Sequence, residues 1–385
     1  AHVVTDDNQE ISVSEHNLNH ALHGDRVKVA LVPKHRKKRA EAEVVEVISR
    51  AKRTFVGRIE MERNYAFVIT DTKFMPYDIF IPKDAMGKAK DGQKVIAQIT
   101  DWPMHTKNPV GEIIEVIGYP GVHEVEMHAI LAEFELPYRF PEELDRHAEK
   151  ISEKITQNDY SERRDFRGVP TFTIDPADAK DFDDALSLRK IDDNTFEVGV
   201  HIADVTHYVK PDSPIENEAV DRATSVYLVD RCVPMLPERL SNFICSLRPN
   251  EEKLCFSAVF EMDLEGNVRK EWFGRTVILS QQRFAYEEAQ KVIETGKGDM
   301  EVEILALNSI AQKLRTKRLK AGAINFDRLE VKFELDEAGK PLGVSFTEQK
   351  EANQLIEELM LLANRRVAEF IGKAREKYKV KPFVY

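Results

Sequence analysis

The sequence runs to 385 residues, 42% of them hydrophobic and 32% charged, with a formal net charge of −11 at pH 7. That length suits two or three domains of ordinary globular composition, and the acidic balance argues against a protein that coats nucleic acid wholesale, since such affinity comes from Lys and Arg neutralising phosphates. No apolar run approaches the ~20 residues of a membrane helix, and Ala1-His2-Val3-Val4 lacks the basic flank and apolar segment of a secretion signal, so the expected setting is cytoplasmic, with no membrane partner.

The N-terminal third repeats itself. Ile11-Ser12-Val13, followed by Ala21, Gly24 and Val27, aligns with Ile79-Phe80-Ile81, followed by Ala89, Gly92 and Val95, at a constant offset of 68. Two copies of a small β module are implied, expected over 1–50 and 51–120, the first beginning part-way through and so trimmed. In the second, Thr54 to Ile59, Tyr65 to Thr70, Tyr77 to Ile81, Val95 to Thr100 and Gly111 to Ile117 read as five short strands of a barrel. This copy resembles the cold-shock branch of the OB fold through Gly57-Arg58, Tyr65-Ala66-Phe67-Val68 and Asp78-Ile79-Phe80-Ile81-Pro82. The resemblance implies single-stranded RNA stacked on Tyr65, Phe67 and Phe80, although strand alternation requires half of the aromatics to be core. Lys34-His35-Arg36-Lys37-Lys38-Arg39 forms a basic run, either a solvated face or part of a polyanion track.

Residues 121–163 read as a linker with a helical segment. From 164 the pattern becomes mixed α/β. Behind the apolar-alternating run Val169 to Ile174 stand five aspartates, Asp175, Asp178, Asp181, Asp183 and Asp184. Two carboxylates about 4 Å apart repel by roughly 4 kcal/mol at an effective dielectric near 20, so the cluster calls for a cation unless it is a solvated loop. Phe182, Ala185, Leu186 and Leu188 interleave with it, which favours entry into a strand. An EF-hand is excluded because no register supplies both the Gly and the terminal Glu. An Asp-x-Asp phosphatase nucleophile at Asp181 and Asp183 stays open.

Ala185 to Lys190 and Phe196 to Ile202 predict one hairpin, and Leu254 to Met262 with Val268 to Gly274 another. Helices are predicted around 285–295, 300–320 and 349–377, the second crowded with Lys313, Arg315, Lys317, Arg318 and Lys320. Cys232, Cys245 and Cys255 form no Cys-x-x-Cys pair and read as reduced packing residues.

Six motifs now fall in order: Thr173-Ile174-Asp175, Asp181-Phe182-Asp183-Asp184-Ala185, His201-Ile202-Ala203-Asp204-Val205, Pro234-Met235-Leu236-Pro237, Cys245-Ser246-Leu247-Arg248-Pro249, and Glu357-Glu358-Leu359-Met360-Leu361-Leu362-Ala363-Asn364. In that order they resemble the ribonuclease II superfamily, with Thr224 to Pro237 nearest its ribonuclease R branch. The resemblance implies tandem OB-type (cold-shock) β-barrels followed by an α+β RNB catalytic domain over 164–385. It also implies a monomeric, processive 3′-to-5′ hydrolytic exoribonuclease that takes single-stranded RNA 3′ ends and releases nucleoside 5′-monophosphates. Its acidic positions fall on Asp175, Asp181, Asp183 and Asp184, holding Mg2+, or Mn2+ in its place, in a two-metal site, with Asp183 bridging metal and attacking water. Asp178 falls outside that set.

The family's aromatic clamp falls on Tyr227 and Phe326, with Tyr286 a further nucleotide contact. Tyr227 stands among Val226, Leu228 and Val229, so a core role competes with stacking. Glu357 or Glu358 is expected to accept a hydrogen bond from the ribose 2′-hydroxyl. Against the family, the sequence stops at Phe383-Val384-Tyr385, before an Arg-containing segment and a further OB domain, so the catalytic domain is expected to be incomplete and the activity of this form impaired. Arg231, Arg248 and Arg328 are the internal candidates for the missing cation. A non-catalytic RNA-binding module and a small-ester metal phosphohydrolase are the rival readings.

Overall fold

The computed structural model describes residues 1–32, 41–324, 329–336 and 341–373. The chain divides into two compact units, Ala1–Tyr138 and Arg139–Tyr385. The basic run at 34–39, Phe326, Arg328 and the terminal tripeptide lie outside the described residues.

In the first unit, β1 (His2–Val4), β2 (Glu10–Val13), β3 (Arg26–Val32) and β4 (Glu41–Ser49) form a sheet ordered β1-β2-β4-β3. Its small core is Val13, Ala42 and Val44. The strands β5 (Thr54–Met61), β6 (Tyr65–Thr70), β7 (Ile79–Pro82), β8 (Lys94–Asp101) and β9 (Val110–Gly118) close into a barrel ordered β5-β6-β7-β9-β8. Alternation decides which side chains fill it. Ala66 and Val68 of β6 and Ile79 and Ile81 of β7 are fully buried, which turns Tyr65, Phe67 and Phe80 outward. Gly57 is required where β5 meets β6, because a Cβ there would collide with the Ile69 carbonyl. Helix α1 (His123–Glu133) then packs Ala129 against Val56 and Ile96 of the barrel wall.

The second unit opens with α2 (Glu142–Ala148) and α3 (Gln157–Ser161), the latter started by a capping box between Thr156 and Asp159. Its centre is a seven-stranded sheet built from β10 (Arg164–Asp165), β11 (Thr171–Asp175), β12 (Asp184–Asp192) and β13 (Thr195–Ala203), followed after α4 (Val205–Tyr208), α5 (Pro214–Arg222) and a short ribbon β14 (Val226–Tyr227)–β15 (Cys232–Val233) by β16 (Glu252–Met262), β17 (Val268–Leu279) and β18 (Gln282–Ala285). The order is β10-β17-β16-β13-β12-β11-β18, antiparallel except at the two edges.

Both faces are covered. Leu186, Leu188, Val198 and Val200 meet α6 (Tyr286–Thr295), α7 (Glu301–Lys320) and α8 (Glu351–Lys373) through Val292, Ile304, Leu307, Leu355 and Leu359. The opposite face carries Ala185, Ala203, Cys255 and Ile278 against Leu144, Ile215, Leu240 and Ile244. Leu240 and Ile244 belong to a turn of π-helix, Arg239–Ile244. The two buried cysteines and half-buried Cys232 are free thiols. A separate ribbon, β19 (Leu329–Leu335) and β20 (Pro341–Glu348), precedes α8.

On that second face a buried polar chain crosses four strands. His201 bonds Ser187 Oγ at 2.8 Å and Ser257 Oγ at 2.7 Å, and Ser257 bonds Thr276 Oγ1 at 2.6 Å. Burial holds the His201 imidazole down to about 3, so it stays neutral. Gly199 makes room for it, since a Cβ would strike Ser187 Oγ and the ring. No described helix is long and apolar enough to cross a membrane.

Candidate metal and RNA site

The acidic residues converge where β11 ends and β12 begins. Asp175 is the last residue of β11 and Asp184 the first of β12. Asp181 and Asp183 stand in the connection before the strand, rather than within it as the apolar interleaving suggested, and the backbone carbonyl of Asp183 is held by Ala203 N–H at 3.0 Å. Burial pushes the Asp184 carboxyl up to about 7, and the charges of Asp175 and Asp183 push the same way. Burial likewise takes Asp175 up to about 6, opposed by the Thr173 hydroxyl and then Arg283 and reinforced by Asp183 and Asp181. Asp183, at the open rim, is also raised, first by burial of its carboxyl and then by Asp181.

Asp175 Oδ2 is buried without a hydrogen-bond partner. A buried, unbonded carboxylate oxygen facing further carboxylates is an arrangement that a hard cation resolves. Among the described residues no three His, Cys, Asp or Glu side chains close into a ready-made metal cage. That is compatible with Mg2+, which keeps several waters and takes a few carboxylates together with substrate phosphates. The donor set, all oxygen, fits such an ion.

Tyr227 settles one ambiguity. It is 70% exposed, so the core role offered by its apolar neighbours is corrected: β14 belongs to a two-residue ribbon on the surface, not to the sheet. Its hydroxyl donates to Asp181 Oδ2 at 3.2 Å, tying an exposed ring to the acidic cluster. Tyr286 is half-buried and packs against the helix–sheet core, which departs from an open nucleotide contact.

The two glutamates of α8 separate sharply. The Glu358 side chain is 2% exposed and grips Arg318 at 2.6 Å and Arg315 at 3.4 Å, whereas Glu357 keeps 39% of its side-chain surface. Glu358 therefore locks α7 to α8, and Glu357 meets the same Arg318 and Arg315 at 3.2 and 3.9 Å from a more exposed position. On the same helix Lys313 pairs with Glu265, and Lys317 bonds the Glu265 carbonyl and Asn267. Of the arginines considered as internal cations, Arg231 pairs with Asp230 and Arg248 faces Glu251 at 3.5 Å.

The arginine whose charge bears on Asp175 is instead Arg283 of β18. It donates to the carbonyls of Pro176 and Ala177 at 2.5 and 3.0 Å and lies 5.5 Å from the Phe182 ring centre. Nothing in its sequence surroundings marked it, because the β11–β18 pairing that brings it there is parallel and spans about a hundred residues. On the barrel of the first unit, the Tyr65, Phe67 and Phe80 rings stand 5.7 Å apart in each pair, forming one outward aromatic patch.

The family model of the RNB domain matches residues 163–380, across the whole seven-stranded unit and its acidic cluster. The chain belongs to the RNB domain family. Ahead of the RNB domain, the cold shock domain model matches 67–141 and the Ribonuclease B OB domain model matches 1–47, so OB and cold-shock modules precede an RNB domain as the sequence implied. Ribonuclease R of Thermotoga maritima is 37% identical over 97% of this chain and 54% of its own length. Ribonuclease R of Escherichia coli is 32% identical over 95% of this chain and 46% of its own.

Among solved structures, Mycoplasma genitalium RNase R in complex with ribose methylated single-stranded RNA superposes with a TM-score of 0.89 at 25% identity, covering 97% of this chain and 60% of that one. Yeast Ssd1, a pseudonuclease, shares the fold at 19% identity and a TM-score of 0.69. The chain thus spans about half the length of the curated relatives it matches.

Proposed function

We propose that the protein hydrolyses single-stranded RNA from its 3′ end, releasing nucleoside 5′-monophosphates with a divalent ion of the Mg2+ kind. The observation that carries the reading is the set of four carboxylates at the β11–β12 junction, two of them driven well above the usual carboxylate range by burial and mutual repulsion. A site built at that electrostatic cost is one that a divalent ion completes, and the RNB relatives named ribonuclease R support RNA as the substrate. The Ssd1 likeness raises a pseudonuclease reading, but Asp175, Asp181, Asp183 and Asp184 all stand in this chain.

When bound, such an ion supplies a water of lowered pKa and neutralises charge on the phosphoryl oxygens. Asp175, Asp181 and Asp184 are assigned to holding it, and Asp183, at the rim, to orienting the attacking water. Tyr227 presents its ring beside Asp181 for stacking a terminal base, its hydroxyl anchored to that carboxylate. Glu357, which also meets Arg318 at 3.2 Å, is the more exposed of the two glutamates and is assigned to a ribose 2′-hydroxyl. The outward patch of Tyr65, Phe67 and Phe80 suits bases of any sequence. The test is 5′-labelled single-stranded RNA with Mg2+: a ladder shortening from the 3′ end, with monophosphate product lost in chelator, supports the reading. Internal cuts or 5′-to-3′ shortening overturn it.

A further inference from the structure

The motif Cys245-Ser246-Leu247 touches no RNA or metal position assigned above, yet it fastens the acidic loop. Ser246 is fully buried. Its Oγ accepts a hydrogen bond from Phe182 N–H at 3.0 Å and donates to the Lys180 carbonyl at 2.9 Å. One residue further, Leu247 N–H donates to the Phe182 carbonyl at 2.8 Å. The backbone is thus pinned on both sides of Asp181 and immediately before Asp183, by a segment more than sixty residues away.

The pin is itself built on a rare element. The π-helix Arg239–Ile244 runs directly into Cys245, whose N–H bonds the Leu240 carbonyl at 2.9 Å. Lys253, almost wholly buried, donates to the carbonyls of Phe243 and Ile244 at 2.6 and 3.3 Å and pairs with Glu251 at 3.0 Å, closing the end of that turn. A wider helical turn shifts the phase of the residues that come after it, and such turns recur at functional sites. Here the shift delivers the Ser246 hydroxyl into the loop.

We infer that Ser246 is a positioning residue for the metal site, holding the 180–183 loop so that Asp181 and Asp183 face the ion. This rests on the metal-dependent reading above. Groups that orient metal ligands commonly govern affinity by about 10–100-fold when removed.

The test titrates Mn2+ into the 385-residue chain and reads free Mn2+ by electron paramagnetic resonance, with melting temperatures taken in chelator. Four proteins are compared: the parent, Asp175→Asn, Ser246→Ala and Thr195→Val. Thr195 is a buried hydroxyl at the far end of the β12–β13 hairpin, bonded by Arg269 at 2.9 Å, and controls for the loss of a buried hydrogen bond in general. The expected result is Mn2+ binding lost in Asp175→Asn, weakened about 10-fold or more in Ser246→Ala, and unchanged in Thr195→Val. Parental affinity in Ser246→Ala, with Asp175→Asn still defective, overturns the positioning role alone. Equal weakening in Ser246→Ala and Thr195→Val overturns it as well. Binding that ignores Asp175→Asn overturns the metal-site reading itself. Should Ser246→Ala fail to fold, Ser246→Cys, which keeps the volume with a weaker donor and acceptor, carries the same comparison.

Discussion

Replacing Asp184 by Asn should stabilise the metal-free protein and destabilise the metal-bound one. The Asp184 carboxyl sits at about 7 in the fold, raised by burial and by Asp175 and Asp183, against about 4 in an unfolded chain. A group raised in this way contributes fully below about pH 4, and its contribution is lost as pH rises towards 7. At about 1.4 kcal/mol per pH unit the gap amounts to roughly 4 kcal/mol, and water at this half-buried rim screens it to about 2–4 kcal/mol.

His201, held down to about 3 by burial, works in the opposite direction, adding stability as pH rises from about 3 to 6.5. Comparing the parent with Asp184→Asn at each pH cancels that common contribution. In urea titrations with chelator, the variant should gain on the parent steadily from pH 4 to 7 and level off above. Mg2+ at about 1,000 times its Kd should reverse the order, because an ion at that concentration adds about 4.1 kcal/mol to the state that binds it. A variant no more stable than the parent at pH 8 in chelator would refute the electrostatic reasoning.

Three further outcomes rest on particular contacts. Tyr227→Ala should leave melting nearly unchanged, as befits a surface ring, while altering the length of the shortest RNA product; a large drop in melting temperature would return the ring to a core role. Removing any one of Tyr65, Phe67 or Phe80 should weaken single-stranded RNA binding by about 1–3 kcal/mol, measured by fluorescence anisotropy, and unchanged affinity would take the patch out of RNA binding. Arg318→Ala should cost about 3–5 kcal/mol in chemical denaturation because it strips buried Glu358 of its main partner, whereas Glu357→Ala should cost little; equal costs would contradict the division between the two glutamates.

Much of this fold is legible because alternation and turn chemistry are local. The five barrel strands and the two long hairpins of the RNB domain lie within a residue or two of their expected positions, except that β17 continues to Leu279 as it runs beside β16. The acidic cluster was equally visible, since five aspartates in ten residues are a compositional event. What stayed hidden is whatever depends on distant pairing. Arg283 reaches the Asp175 turn through the parallel pairing of β18 with β11, and Ser246, two residues past a π-turn, meets Phe182 from more than sixty residues away. Exposure also depends on packing: Tyr227 sits in an apolar run that reads as core, and adjacent Glu357 and Glu358 both meet arginines of α7 but differ in how deeply they are buried. Local pattern carries neither.

The central claim is that the four aspartates act on the scissile phosphate while other surfaces hold the RNA, and Asp183→Asn tests it most directly. In a full-length form, single-turnover cleavage of single-stranded RNA with Mg2+ should fall by about 10²–10³ or more, while RNA affinity measured by anisotropy under the same conditions stays near the parental value. Cleavage that persists at the parental rate, or affinity that falls in step with it, would contradict the account.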